Sequence, residues 1–208
     1  MTAIAMAEQE RRQTVTVLFI DIVGYTSLTD DLDCAVVRAL QRDYFSTVCD
    51  VVRTAGGVVE KYVGDAVMAV FGTGPGGFGP EAAASAVRAG LSVQEALRGQ
   101  LLAGRFAVRT RVGLATGDVI VDVVAAREFG HGMVSGSVVS TAARLQAYAP
   151  HDTVVVCAST QAVTDELIAY QELPPVRVAG KPYPLDLWRA LQPQRVPAGG
   201  QLCGVGAE

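Results

Sequence analysis

No apolar run in this chain approaches the ~20 residues that a membrane span needs. Its first thirteen residues, MTAIAMAEQERRQ, lack the apolar core of a secretory signal. Those two absences predict a soluble, cytoplasmic protein with no membrane span. A basic excess is missing too: 17 Lys and Arg stand against 21 Asp and Glu, a formal net charge of −4. This excludes the electrostatic footprint of a nucleic-acid binder. A chain of this charge that handles a polyanion must recruit cations locally, through metal or a few placed Lys and Arg. The four cysteines, Cys34, Cys49, Cys157 and Cys203, fit neither a zinc site nor a CxxC redox pair. The first three read as core or near-core thiols in a reducing compartment. There is no internal repeat.

What is present is core-forming material. Half of the 208 residues are apolar, enough for one domain with a real core. Residues 14–20 are β-branched and read as a strand buried on both faces. Thr26, Ser27 and Thr29 mark a turn, with a helix start after them. From about 33 to 55, Val37, Leu40, Tyr44, Val48 and Val51 recur at three- and four-residue steps, an amphipathic helix stopped by Gly56-Gly57. Then "VVEKYVGDAVMAVFG" reads as strands 58–63 and 66–71 around a Gly64-Asp65 turn. A Gly/Pro loop over 73–80 leads to a helix over 80–102. Strands are predicted at 107–116 and 118–124, split at Thr116-Gly117, followed by a glycine-punctuated loop over 125–135. A third helix lies in "GSVVSTAARLQAYA", a strand at 153–157, a short helix at 159–168, and strands at 175–178 and 184–190. The order predicts an α+β fold with a ferredoxin-like βαββαβ core and added C-terminal elements. The expected division is an N-terminal extension (1–13), one domain (14–191) and a Pro/Gly-rich tail or linker (192–208).

Two carboxylates stand out by position. Asp21 closes the first apolar strand, and Asp65 occupies the hairpin turn. Alone, each reads as an ordinary turn residue. In a βαββ arrangement the two tips approach each other, and close aspartates repel unless a cation bridges them. Mg²⁺ prefers one or two carboxylates plus phosphate oxygens, the setting of two-metal phosphoryl transfer. The stretch Ile22-Val23-Gly24-Tyr25-Thr26 supports this, because backbone N–H groups opening a helix favour an anion. Lys61, four residues before Asp65, could meet a base or a phosphate, or be a solvated edge lysine. Arg144, among alanines on the third helix, could stabilise charge on a transferring phosphate or simply face solvent.

The stretches "LFIDIVGYTSL", "EKYVGDAVMAVFG", "RVGLATGDVI" and "GSVVSTAARLQ" resemble the successive motifs of class III nucleotidyl cyclase catalytic domains, the adenylyl and guanylyl cyclases, of the soluble bacterial-like type. The resemblance covers roughly residues 14–190, in the family's order and spacing. It implies that the ribose 3′-oxygen of ATP, or less favourably GTP, attacks the α-phosphate and pyrophosphate leaves. It implies two Mg²⁺ or Mn²⁺ ions per site, with Asp21, Ile22 and Asp65 as metal-holding positions. Residues 23–26 then bind the substrate with Lys61, which matches the purine-recognising position, and Arg144 matches the transition-state arginine. It also implies a head-to-tail dimer, in which one partner supplies the metal residues and the other supplies the purine and transition-state residues.

The sequence departs from that pattern twice. Where the family usually has Asn to position the ribose, four residues before the arginine, this chain has Ser140. Its second purine position, usually Asp or Thr, falls on Met133. A transition-state positioning contact is typically worth ~10²-fold in rate, so the expected enzyme is slow, or is half of a site. The first reading is a homodimeric adenylyl cyclase. The second is a regulatory or heterodimeric half, in which Lys61 and Arg144 bind a small anion as in bicarbonate-responsive cyclases. A pure interaction domain has no use for two close carboxylates. The GGDEF-like signature of diguanylate cyclases is absent. The ending "QLCGVGAE" faintly resembles the opening of the ATPase modules that follow some soluble-type cyclase domains.

Overall fold

A computed structural model describes residues 10–74, 76–122, 134–177 and 184–191. Strand β1 (Glu10–Ile22) is longer than the sequence predicts and begins inside the stretch read as an N-terminal extension. A five-residue helix, α1 (Tyr25–Thr29), follows, so Thr26, Ser27 and Thr29 lie within a helix and not before one. Helix α2 (Cys34–Thr54) opens on Asp33, whose side chain accepts from the Ala35 amide at 2.8 Å, a polar N-terminal cap. It ends where Gly56 takes a φ of 79°, with the Gly57 amide bonded back to Val52, as a left-handed C-terminal closure requires. Leu40, Tyr44 and Val48 are buried as the periodicity predicts. Cys49 is buried and Cys157 half-buried, but Cys34 is exposed in the first turn of α2, against the expectation of a core thiol.

The hairpin falls where expected, with β2 (Val58–Val63) and β3 (Ala66–Phe71) around Gly64-Asp65. Helix α3 spans Pro80–Leu97, five residues short of the expected end, because Gly99 (φ 125°) breaks the helix and Leu102 pairs with Phe106 in a separate turn. Strand β4 (Thr110–Asp122) is continuous: Thr116-Gly117 does not split it, because both residues stay in the ladder opposite Thr16 and Val15 of β1. Strand β5 (Val134–Ser135) pairs with β4. Helix α4 (Ser137–Tyr148) and strand β6 (Thr153–Cys157) match the expectation. Helix α5 is shorter than expected, Ala158–Thr164. Strand β7 (Tyr170–Val176) starts five residues before the predicted one, and β8 is Leu185–Ala190. Pro174 and Pro175 are tolerated in β7 because it is an outer strand with a register break there.

The sheet order is β2-β3-β1-β4-β6-β8-β7, and among the described residues β4 and β6 form its one parallel pair. The β1-α2-β2-β3-α3-β4 portion is the expected βαββαβ unit. One core layer joins Leu18, Ile20 and Leu114 to α2 and α3. The other joins Val17, Phe19 and Ala115 to Val138 and Leu145 of α4. No helix among the described residues is long and apolar enough to cross a membrane.

Candidate active site

Asp21 is the next-to-last residue of β1, and Asp65 follows Gly64 (φ 65°) in the β2–β3 turn. The antiparallel register runs from Thr16 opposite Phe71 to Ile20 opposite Val67, which carries the tip of β1 up to that turn. There Asp65 Oδ2 accepts from the Ile22 amide at 3.1 Å. The Asp21 side chain lies within hydrogen-bonding reach of the Asp65 carboxyl. Burial first, then the hydrogen bond and charge of Asp21, push Asp65 up to about 7.

Two further residues, which sequence reading treated as helix filler, converge here. Gln146 of α4 donates from Nε2 to Asp21 Oδ2 at 3.1 Å. Helix α4 comes this close because residue 113 is glycine: a Cβ there would collide with the backbone of Ala142 and Gln146. Tyr44 of α2 is fully buried and its hydroxyl has no hydrogen-bond partner among the described residues. Burial, then the charges of Asp21 and Asp65, hold its pKa well above the usual tyrosine value. The only hint in the sequence was a phenol where the helix pattern asked for an aliphatic side chain.

The nearby protein cations are committed elsewhere. Arg111 stands opposite Asp21 on β4, yet its guanidinium reaches the Ala147 carbonyl (3.4 Å) and His151 (3.1 Å). Lys61 pairs with the buried Glu60 at 3.4 Å. Among the described residues, Asp21 and Asp65 have no ion-pair partner. Two half-buried, adjacent carboxylates without a protein ion-pair partner fit a divalent ion, which would displace the proton that Asp65 otherwise holds. No group of three or more metal-ligating side chains exists among the described residues, so remaining ligands would come from substrate and solvent. The Ile22 side chain is buried and its amide engaged, leaving its carbonyl as the only atom able to serve a metal.

The loop after Asp21 is partly committed. The Val23 amide donates to the Arg109 carbonyl at 2.8 Å. Gly24, with φ 70°, makes the sharp entry into α1, whose first amides, those of Gly24, Tyr25 and Thr26, have no intrahelical acceptor. Arg144 makes no ion pair among the described residues. It lies two positions before Gln146, about 200° around the helix, and so faces away from its own aspartate pair. Ser140, one turn earlier, shares Arg144's side of α4, and its hydroxyl donates to the Ser137 carbonyl at 2.9 Å. Met133 lies outside the described residues.

A sheet of this topology with paired aspartates at a strand tip defines an α+β domain suited to metal-assisted phosphoryl chemistry. The chain belongs to the family of adenylate and guanylate cyclase catalytic domains, whose pattern matches residues 7–189. An uncharacterised protein of Mycobacterium tuberculosis (strain ATCC 25618 / H37Rv) is 31% identical over 204 residues, 93% of this chain and 35% of that protein. Adenylate cyclase 1 of Rhizobium meliloti is 28% identical over 190 residues, 86% of this chain and 28% of that protein. The chain thus spans about a third of the length of the curated relatives it matches. Among solved structures, the adenylyl cyclase CyaB from P. aeruginosa superposes with a TM-score of 0.78 at 23% identity, covering 89% of this chain and 97% of that one. The guanylyl cyclase Cya2 gives the same TM-score and identity over 88% and 93%. Adenylyl and guanylyl neighbours fit equally well, so the fold is common to both nucleotide preferences.

Proposed function

We propose that this domain converts ATP to cyclic AMP and pyrophosphate at the interface of two head-to-tail copies. The observation that carries this is the division of side chains on α4: Gln146 is turned to the Asp21–Asp65 pair, and Arg144 and Ser140 are turned away from it. One copy would contribute Asp21, Asp65 and the carbonyl of Ile22 as holders of two Mg²⁺ or Mn²⁺ ions. When bound, these ions neutralise phosphate charge and make the ribose 3′-oxygen easier to ionise. The chain's own residues do the rest. Gln146 fixes the orientation of the Asp21 carboxylate, and the amides from Gly24 to Thr26 meet the phosphates. The second copy presents Lys61 to the purine and Arg144 to the charge growing on the α-phosphate. The 3′-hydroxyl gives its proton to solvent water, its oxygen bonds the α-phosphorus, and the bond to the bridging oxygen breaks as pyrophosphate leaves with that oxygen.

A second reading rests on a specific observation. Lys61 is paired with Glu60 and Ser140 with its own helix, so neither is presented ready for substrate. In that reading the domain is a regulatory or heterodimeric half that binds nucleotide without turning it over alone. An assay of the purified domain with ATP and GTP, each with Mg²⁺ and Mn²⁺, separates the two. Cyclic AMP formation that rises more than linearly with protein concentration supports the homodimer. Metal–nucleotide binding without product under every condition supports the regulatory half and overturns the first reading.

A further inference from the structure

Two adjoining cavities, of about 460 Å³ and about 180 Å³, open beside the C-terminal end of α3. They lie on the opposite face of the sheet from the aspartate pair: Thr110 shares the side of Ile22 and Val112, whereas Asp21 shares that of Arg111. Gln94 of α3, 6% exposed, lines both cavities, and its Nε2 has no hydrogen-bond partner among the described residues. Thr110, 1% exposed, lines the smaller one, and its Oγ1 is likewise unpartnered. Native interiors rarely leave two adjacent polar groups unmet, because each forfeits its solvation for nothing. The rim is cationic. Arg98 lines both cavities, Arg109 the smaller and Arg189 the larger, against the single carboxylate of Asp152. One Asp152 oxygen already accepts from the Thr110 amide at 3.1 Å, and Arg98 is ion-paired with Glu95, which leaves Arg109 and Arg189 as the rim's main positive charge.

A ligand that satisfies this set must bring acceptor atoms for the buried amide and hydroxyl and negative charge for the guanidiniums. We propose that these joined cavities form a binding site for a small oxyanion, a carboxylate or a phosphate, distinct from the nucleotide site. The anion seats its oxygens on Gln94 Nε2 and Thr110 Oγ1 and its charge among the arginines. The site is wired to the metal loop through backbone. Thr110 follows Arg109, whose carbonyl holds the Val23 amide at 2.8 Å. Val23 follows Ile22, whose amide holds Asp65. Occupancy at Thr110 therefore bears on the loop that positions the aspartates, and the coupling is reciprocal.

The test uses the 208-residue chain in EDTA, without nucleotide, so that binding is read independently of catalysis. Inorganic phosphate and malonate are titrated separately at constant ionic strength while amide resonances are followed by NMR. The expected result is a saturable shift at Thr110, Val23 and the Gln94 side-chain amide, with a Kd of about 10 mM or tighter for at least one anion. A response to phosphate alone names a phosphoryl ligand, and a response to malonate alone names a carboxylate. Gln94→Leu should weaken binding at least about tenfold, and Thr110→Ser, which keeps the hydroxyl, should preserve it. If Gln94→Leu does not fold, Arg189→Glu on the exposed rim replaces it and should weaken binding similarly. No saturable shift with either anion, shifts confined to residues 24–26, or affinity unchanged in Gln94→Leu (or in Arg189→Glu where that variant replaces it) would overturn the proposal.

Discussion

Asp65 is the residue whose environment has the clearest consequence. Its carboxyl titrates at about 7 in the fold, against 3.8 for an unperturbed aspartate. Between those values the folded chain keeps a proton that the unfolded chain has lost, so stability must fall as pH rises from about 4 to 7 and then level off. A divalent ion that takes the proton's place removes that penalty. Scanning calorimetry of the metal-free protein should show Tm decreasing across this window, and Mg²⁺ or Mn²⁺ should flatten the slope. Asp65→Asn, neutral at every pH, should lose the slope and melt higher than the parent at pH 8 without metal. A slope that survives in the variant would assign the titration to another group. Gln146 acts one atom further out. Removing its hydrogen bond to Asp21 with Gln146→Leu should weaken the metal dependence of nucleotide binding by about 10- to 100-fold. The fold should persist, which far-UV circular dichroism checks.

At the scale of elements, the position of α4 depends on the absence of a side chain at residue 113. Gly113→Ala would drive a methyl into the backbone of Ala142 and Gln146. Helix backbone cannot yield as a flexible side chain can, so the expected cost is about 3 kcal/mol, the upper part of the usual overpacking range. Urea unfolding measures it, and metal binding should weaken along with stability because Gln146 moves off Asp21. This dependence was not legible in the sequence, where Gly113 is one glycine among 22. The hairpin was legible to the residue, because the Gly64-Asp65 turn and its β-branched flanks agree with each other. The paired aspartates were legible for the same reason, since both sit at punctuated ends of strands. The split predicted in β4 failed because Thr-Gly reads locally as a turn. Tertiary contacts override that reading: Thr116 Oγ1 meets Thr16 at 2.8 Å and Thr160 at 2.9 Å in the buried interior. Gln146 stayed hidden because a glutamine in a helix carries no local signal of what it faces.

For the whole molecule, the question is whether one chain contains a complete site. On the proposed reading, in which Arg144 serves the reaction, it does not, since Arg144 and Gln146 lie about 200° apart on α4 and do not face the same aspartate pair. The outer strand β2 offers a place for a second copy. Val58, Tyr62 and Val63 are 45%, 49% and 56% exposed there, an apolar edge that a monomer would ordinarily blunt. If two copies close head to tail, Asp65→Ala and Arg144→Ala damage opposite halves of every site. Each variant alone should be inactive. Mixed in equal amounts and allowed to exchange, about half the dimers should be mixed, and each mixed dimer has one doubly damaged and one intact site. Activity should therefore return to about a quarter of the parent's (one half times one half). Should the mixture stay silent while both variants still form dimers, the aspartates and the arginine serve one chain's site, and the head-to-tail arrangement fails. Ser140→Asn, introduced into the Arg144→Ala partner, refines the same experiment. The regenerated site takes its α4 contribution from the other chain, so it should be no faster than before. The same change placed in the Asp65→Ala partner should accelerate that site if a longer amide reaches the ribose where the serine does not.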